Sequence, residues 1–290
     1  MGPTIRDDKV GTESGRTPLF DIKKVTGRND YDRLLKDKAS GRDNKDHHQA
    51  EKTSWARLNA GPETIMKITL TFDVCGTLVD PSRMARHLAQ DVGPRAGEFA
   101  ACWTEKQAEY SFRRGLMRDY ADFSVCKSDA LEFTCRTFKA DIPAERRGEL
   151  LRLYRNLPTF SDVKPGLDSL RGKLRLFALS NGKRSDVDAV LANANILEYF
   201  EGIISADDVR SFKPDPVVYH HAKRATGTLC APCWLISSYS WDIVGGGSAG
   251  LATAWVKRSE EEDYGPWGSG PNVTVRSLIE LSAALAALRS

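Results

Sequence analysis

The chain has 290 residues, 41% of them hydrophobic and 28% charged, proportions ordinary for a globular protein with a full core. Its net charge of +3 is too small to mark a nucleic-acid or acidic-membrane partner. No apolar run approaches the ~20 residues that span a bilayer.

Residues 1–65 come first and differ from the rest. More than a third are charged, with both signs mixed, and apolar residues are sparse and aperiodic. Such a segment buries too little surface to offset its ordering entropy, so it is expected to be a disordered extension with a short helix near Tyr31 to Lys36. Its start, MGPTIRDDKVG, lacks the apolar core of a signal peptide, and Arg6 breaks the myristoylation pattern. With no secretory signal, six scattered cysteines read as reduced thiols, and a cytoplasmic location is expected.

From Met66 onward, apolar runs alternate with helical patterns. Strands are predicted at 68–72, 174–179, 202–205, 234–237 and 251–256, and helices at 184–196, 216–226 and 275–287. That order predicts an α/β protein with a Rossmann-like parallel sheet covered on both faces, built from residues 66–80 and 161–290. Residues 81–160 intervene and are too many for a crossover. Apolar and aromatic residues recur there at three- and four-residue spacing, notably over 97–117 and 128–138, which predicts helices. We expect a helical cap domain lying over the C-terminal end of the sheet, where it would exclude water.

Residues able to do chemistry gather at the predicted strand ends. Asp73 closes the first strand and Thr77 follows it. Leu179-Ser180-Asn181-Gly182 closes the second. Lys213 lies in Ser211-Phe212-Lys213-Pro214-Asp215-Pro216, and Ser237-Ser238-Tyr239-Ser240-Trp241-Asp242 follows the fourth strand. A doubly wound sheet brings such ends to one crevice. There Lys213 can hold Asp73 ionised, because a nearby opposite charge favours a carboxylate. Ser180 and the amides after it can bind a substrate carboxylate at a helix N-terminus. Asp242 can orient Lys213 or a water, and a merely structural Lys213–Asp242 ion pair stands beside that option.

Other signals carry less. Gly246-Gly247-Ser248-Ala249-Gly250 matches the nucleophile elbow of α/β-hydrolases, but the last histidine is His221, so the triad order fails and a glycine-rich turn is expected. Cys75 has Pro81 where a cysteine phosphatase needs arginine. Cys230 and Cys233, with His220 and His221 before them, read as a chance pair rather than a zinc site.

The string FDVCGTLVD, with the three later pieces in order, resembles the haloacid dehalogenase superfamily. Within it the chain is most similar to the class II L-2-haloacid dehalogenases, over roughly residues 66–258. Trp103 to Tyr110 resembles that family's W-R-Q-K-Q-x-E-Y segment, Ser128 to Cys135 is similarly near, and Lys213 to Tyr219 also matches. The resemblance implies Asp73 as nucleophile on C2 of a 2-haloacid, forming an ester that water hydrolyses. It implies Thr77 and Ser180 as positioning residues, Asn181 and Ser238 in the polar lining, and Trp241 in the apolar lining. Lys213 would be the charge partner, Tyr219 its support, and Asp242 the orienter of lysine or water. Superfamily phosphatases carry a second aspartate where Cys75 stands, and an acidic residue where Ser238 stands, so neither a metal nor another cofactor is expected. A homodimer through the cap is implied as well.

Three departures mark this chain. Thr104 occupies the family's halide-binding arginine position, Tyr239 replaces an asparagine that helps place the water, and Cys75 replaces a tyrosine. Losing the cation that meets a leaving anion costs several kcal/mol unless it is replaced, and Lys106, Arg113, Arg114 and Arg118 are the candidate substitutes. Two alternatives stay open: the same nucleophile acting on another substrate, and a catalytically silent binding protein.

Overall fold

The structure, a computed structural model, describes residues 68–229, 231–267 and 270–287. The expected extension, its short helix and Cys230 lie outside the described residues.

Strand β1 is Thr69–Asp73, and the helices α1 Met84–Val92, α2 Ala96–Met117, α3 Phe123–Phe138 and α4 Ala144–Leu153 follow it. The chain then alternates through α5 Val163–Leu170, β2 Arg175–Ser180, α6 Arg184–Asn193, β3 Gly202–Ser205, α7 Pro216–Ala225 and β4 Cys233–Ser237. It ends with α8 Ser240–Ser248, β5 Ala252–Val256, β6 Val273–Val275 and α9 Leu278–Ala287. The expected strands are present within a residue of their predicted bounds. Strand β6 escaped notice, being only a three-residue edge segment after Pro271-Asn272. Helix α3 starts at Phe123 rather than 128, because Asp122 caps it by accepting from the Ser124 amide at 2.9 Å.

One expectation holds only in part. Of the run Gly246-Gly247-Ser248-Ala249-Gly250, the first three residues close α8 instead of making a turn, and Gly245 and Gly246 are buried in it. A Cβ on Gly245 would lie 2.7 Å from Pro214 Cβ, and one on Gly246 2.6 Å from Leu235 Cδ2. These glycines let the helix lie close on the sheet and the Lys213 loop, which outweighs their poor helix propensity. The chain turns only afterwards, at Gly250, whose φ is +77°.

The sheet order is β3-β2-β1-β4-β5-β6, and every pairing is parallel. From β1 the chain works outward to β3, then crosses back to place β4 beside β1. The switch point therefore falls between β1 and β4, the position where such sheets bind ligands. Asp73 is level with Leu179, Ser180 with Ser205, and Phe72 with Ile236, so the functional strand ends lie side by side.

Side chains alternate across the sheet, as the period of two demands. Leu70, Phe72, Leu176, Ala178, Trp234 and Ile236 enter the core shared with α5, α6 and α9. Phe177, Leu179, Ile204, Cys233 and Leu235 face α7. The first of these cores runs on without a break into the helices after β1, through Leu78, Phe99, Trp103, Leu131 and Leu150. At the start of α5, Asp162 accepts from Arg258 Nη1 at 2.7 and 2.8 Å and from the Leu278 amide at 2.7 Å, tying β5 and α9 to that helix.

Candidate active site

Asp73 ends the central strand and is almost wholly buried, at 6% exposure. Its Oδ1 accepts from Lys213 Nζ at 2.6 Å and its Oδ2 from Thr77 Oγ1 at 2.7 Å. The same ammonium donates to Asp242 Oδ2 at 2.8 Å, and Tyr219 OH donates to Asp242 Oδ1 at 2.7 Å. Lys213 is itself held from behind, its amide donating to Asn181 Oδ1 at 2.8 Å. Thr77 Oγ1 accepts from the Ser238 amide at 2.9 Å, and Ser238 Oγ donates to Gly76 O at 3.0 Å. The sequence thus fixes one continuous network from β1 through the loops after β2, β3 and β4.

Burial pushes the Asp73 carboxyl above the usual carboxylate range, while the Lys213 ammonium and Thr77 hydroxyl pull it back. Burial works against the Lys213 charge too, but Asp242 and Asp73 outweigh it and hold this ammonium above the ordinary lysine value. The Cys75 thiol is pushed up to about 12, first by burial and then by the Asp73 charge, so it is no thiolate nucleophile.

A cavity of about 60 Å³ opens onto Asp73, lined also by Cys75, Thr104, Gln107, Ser180, Asn181, Lys213, Tyr239 and Trp241. Asp73, Ser180, Asn181, Lys213, Thr104 and Trp241 are thus brought together as the sequence predicted. Thr77, Ser238, Tyr219 and Asp242 do not line it; they brace the residues that do. Asp242, with 0% exposure and both oxygens occupied by Lys213 and Tyr219, is placed to orient the lysine rather than a water. Trp241 stacks on Tyr239 at 5.4 Å and meets Phe112 of the cap edge-on at 4.9 Å. Gly76, with φ at +94°, allows the loop to pass beneath the Tyr239 ring, whose hydroxyl a Cβ there would overlap.

The four cations proposed to replace the arginine at position 104 are elsewhere. Lys106 and Arg113 both pair with Glu109. Arg114 pairs with Asp119 at 3.5 Å and Asp129 at 3.2 Å, and Arg118 is an exposed left-handed cap of α2. None of them lines the Asp73 cavity. Thr104 instead lies 3.5 Å from Tyr154 OH, which also accepts from Gln107 Nε2 at 2.8 Å. Gln107 and Ala108 were missed in the sequence, yet they sit three and four residues after Thr104 and so share its helix face. Among the described residues, no group of three or more His, Cys, Asp and Glu is placed to hold a metal. Between the Asp73 and Asp242 carboxylates stands the Lys213 ammonium.

A Rossmann-type parallel sheet, a helical cap and a strand-end carboxylate against a buried lysine define a capped α/β hydrolase. The chain belongs to the haloacid dehalogenase-like hydrolases, whose family model matches residues 69–250. It is 34% identical over 73% of its length to an (S)-2-haloacid dehalogenase of Pseudomonas sp. strain YL, covering 93% of that protein. It is 32% identical over 74% of its length to (S)-2-haloacid dehalogenase 4A of Burkholderia cepacia, again covering 93% of the relative. The solved L-2-haloacid dehalogenase of Xanthobacter autotrophicus matches with a TM-score of 0.71 and 26% identity, over 77% of this chain and 100% of that one. A second structure of that enzyme has chloropropionic acid covalently bound.

Proposed function

We propose that this chain is a hydrolytic dehalogenase of short 2-haloalkanoic acids, working through an ester on Asp73. The observation that carries the proposal is the buried Asp73–Lys213–Asp242 bridge, at 2.6 and 2.8 Å, opening onto a small capped cavity. Asp73 Oδ2 is the freer oxygen, since its bond is to a neutral hydroxyl whereas Oδ1 takes the stronger charge-assisted one. It attacks C2, the C–O bond forms, and the halide leaves with the bonding pair. Lys213 then faces the ester carbonyl oxygen and stabilises the oxyanion as water adds to Cγ. Collapse frees Asp73 and releases a 2-hydroxy acid and a proton. Ser180 and Asn181 hold the acid end, Trp241 and Thr104 the carbon chain, and Thr77, Ser238 and Tyr219 brace the charged trio.

Incubation with L-2-chloropropionate should release chloride from the wild type and none from a folded Asp73→Asn variant. Retained turnover in that variant would sink the covalent mechanism. EDTA should leave the rate unchanged, because the lysine supplies the positive charge; a Mg²⁺ requirement would move the assignment to phosphoryl transfer.

A larger acid is favoured as a second reading by one feature. A mainly apolar cavity of about 770 Å³ shares Thr104, Ala108, Tyr239 and Trp241 with the Asp73 chamber. With threonine rather than arginine at 104, an acyl tail can pass from one into the other. Rates across a 2-chloro acid series from three to ten carbons separate the two readings. A cap-mediated homodimer and a cytoplasmic location complete the proposal. Leu116 and Met117 on α2, 89% and 62% exposed, support the first, and the free cysteines of the described chain support the second. Light scattering on the purified chain and cell fractionation test them.

A further inference from the structure

One cation beside the active site has no use in the chemistry above. Lys127 stands on α3, in the turn whose carbonyl accepts from Trp103 Nε1 at 2.9 Å. Its ammonium is partly buried, 5.8 Å from the ring centres of both Phe123 and Tyr154. It forms no ion pair or hydrogen bond with any described residue. It borders a cavity of about 60 Å³ lined also by Cys75, Gln107, Phe123, Tyr154, Ser180 and Gly182. Cys75, Gln107, Phe123 and Ser180 line the Asp73 chamber as well, so the two spaces adjoin across these side chains.

The acidic groups near Lys127 are already engaged. Asp186 takes Arg155 Nη2 at 2.6 Å, and Asp122 takes Lys183 Nζ at 2.9 Å and caps α3. Ser180 Oγ accepts from the Gly182 amide at 3.2 Å, while its own hydrogen has no acceptor among the described residues. Two unfilled donors, one of them charged, therefore border the same space. Burying a cation without a counter-ion is unfavourable, and an arriving anion relieves the cost. Burial accordingly pushes the Lys127 ammonium below the ordinary lysine value, against the pull of Asp186.

We infer that Lys127 and Ser180 together receive the substrate carboxylate, so that Lys127 is the residue selecting acids over neutral analogues. This inference rests on the dehalogenase reading. Lys127 does not stand in for the family's arginine at the halide, because Thr104 does not border its compartment. It approaches through the compartment that it shares with Cys75, the residue standing at the family's tyrosine position.

The test compares L-2-chloropropionate with L-2-chloropropionamide in the wild type, Lys127→Met, Lys127→Gln and Lys127→Arg. Both neutral variants should raise KM for the acid by ~10- to 100-fold, with kcat within a few-fold and the preference for acid over amide collapsing. Lys127→Arg should restore most of that preference, which a purely structural role would not require. A loss of kcat equal for acid and amide, with KM unmoved, would place Lys127 at the leaving group and overturn the inference. Calorimetric affinity for L-lactate, the expected product, gives a readout independent of turnover. Should the wild type release no halide, the dehalogenase reading fails, while lactate affinity unchanged between wild type and Lys127→Gln would separately sink the role of Lys127.

Discussion

Lys213, 1% exposed, donates at 2.6 Å to Asp73 and at 2.8 Å to Asp242. Removing one member of such a buried trio is costly, because the others remain desolvated without a partner. Lys213→Met should therefore lower stability by about 3–5 kcal/mol, read by urea unfolding, and cut kcat by at least ~100-fold. A variant of native stability would show that the carboxylates simply take up protons. The pH profile tests the same residues. Asp73 attacks only when ionised, and burial raises its carboxyl, so kcat/KM should climb with pH along an acidic limb centred above the ordinary ~3.9. Lys213 is raised too, so its loss of charge should not limit the rate below about pH 10. An acidic limb at or below ~3.9 would mean that the Lys213 charge outweighs burial at Asp73. Asp73 was legible in the sequence because it closes an apolar run, and Lys213 and Asp242 because they stand in the segments that follow the third and fourth predicted strands. Lys127 and Tyr154 were not, because they meet the site through tertiary packing of the cap, whereas Gln107 was within reach of the sequence, three residues after Thr104 on one helix face.

Elements read from periodicity were found where the period was long enough to count. Strands β1 to β5 stand out as apolar runs between polar turns. Strand β6 is three residues long, and α8 ends in three glycines that local propensity assigns to a turn. Packing overrode propensity at α8, which gives a test with a definite sign. Gly245→Ala improves intrinsic helix propensity by ~1 kcal/mol, yet its methyl would meet Pro214 Cβ and Tyr219 OH at 2.7 Å. Net destabilisation of about 1–3 kcal/mol is expected, together with slower turnover as Tyr219 shifts from Asp242. Thr69→Val should go the other way. Thr69 Oγ1 in the central strand is buried without a hydrogen-bond partner among the described residues, and replacing it by a methyl removes that cost, raising stability by about 1 kcal/mol with kcat unchanged. Denaturant midpoints of the two variants on opposite sides of wild type are the expected result.

A polar link outside the charged trio also joins the catalytic loop to elements distant in sequence. Arg258, just past β5, bonds Asp162 at the start of α5 with 2.7 and 2.8 Å contacts, and its Nη2 also donates to Thr77 O. Asp162 in turn receives the Leu278 amide, so β5, α5, α9 and the turn after Asp73 meet at one ion pair. Its side chains are 11% and 12% exposed, so solvent screens the pair little and its loss leaves a desolvated charge behind. Sequence alone could not pair residues so far apart, since neither lies in a motif. Arg258→Met keeps most of the apolar stem while deleting the charge. It should cost about 2–4 kcal/mol, which for a body of this size lowers Tm by roughly 5–15 °C. Because the lost guanidinium also releases the Thr77 carbonyl, kcat for the proposed reaction should fall by several-fold at temperatures where the variant is fully folded. Asp162→Asn retains an acceptor for the Leu278 amide and leaves the Arg258–Thr77 bond in place. It should therefore lower Tm by less and leave kcat near wild type. Wild-type kcat in folded Arg258→Met would show that the link serves stability alone and does not position the catalytic loop.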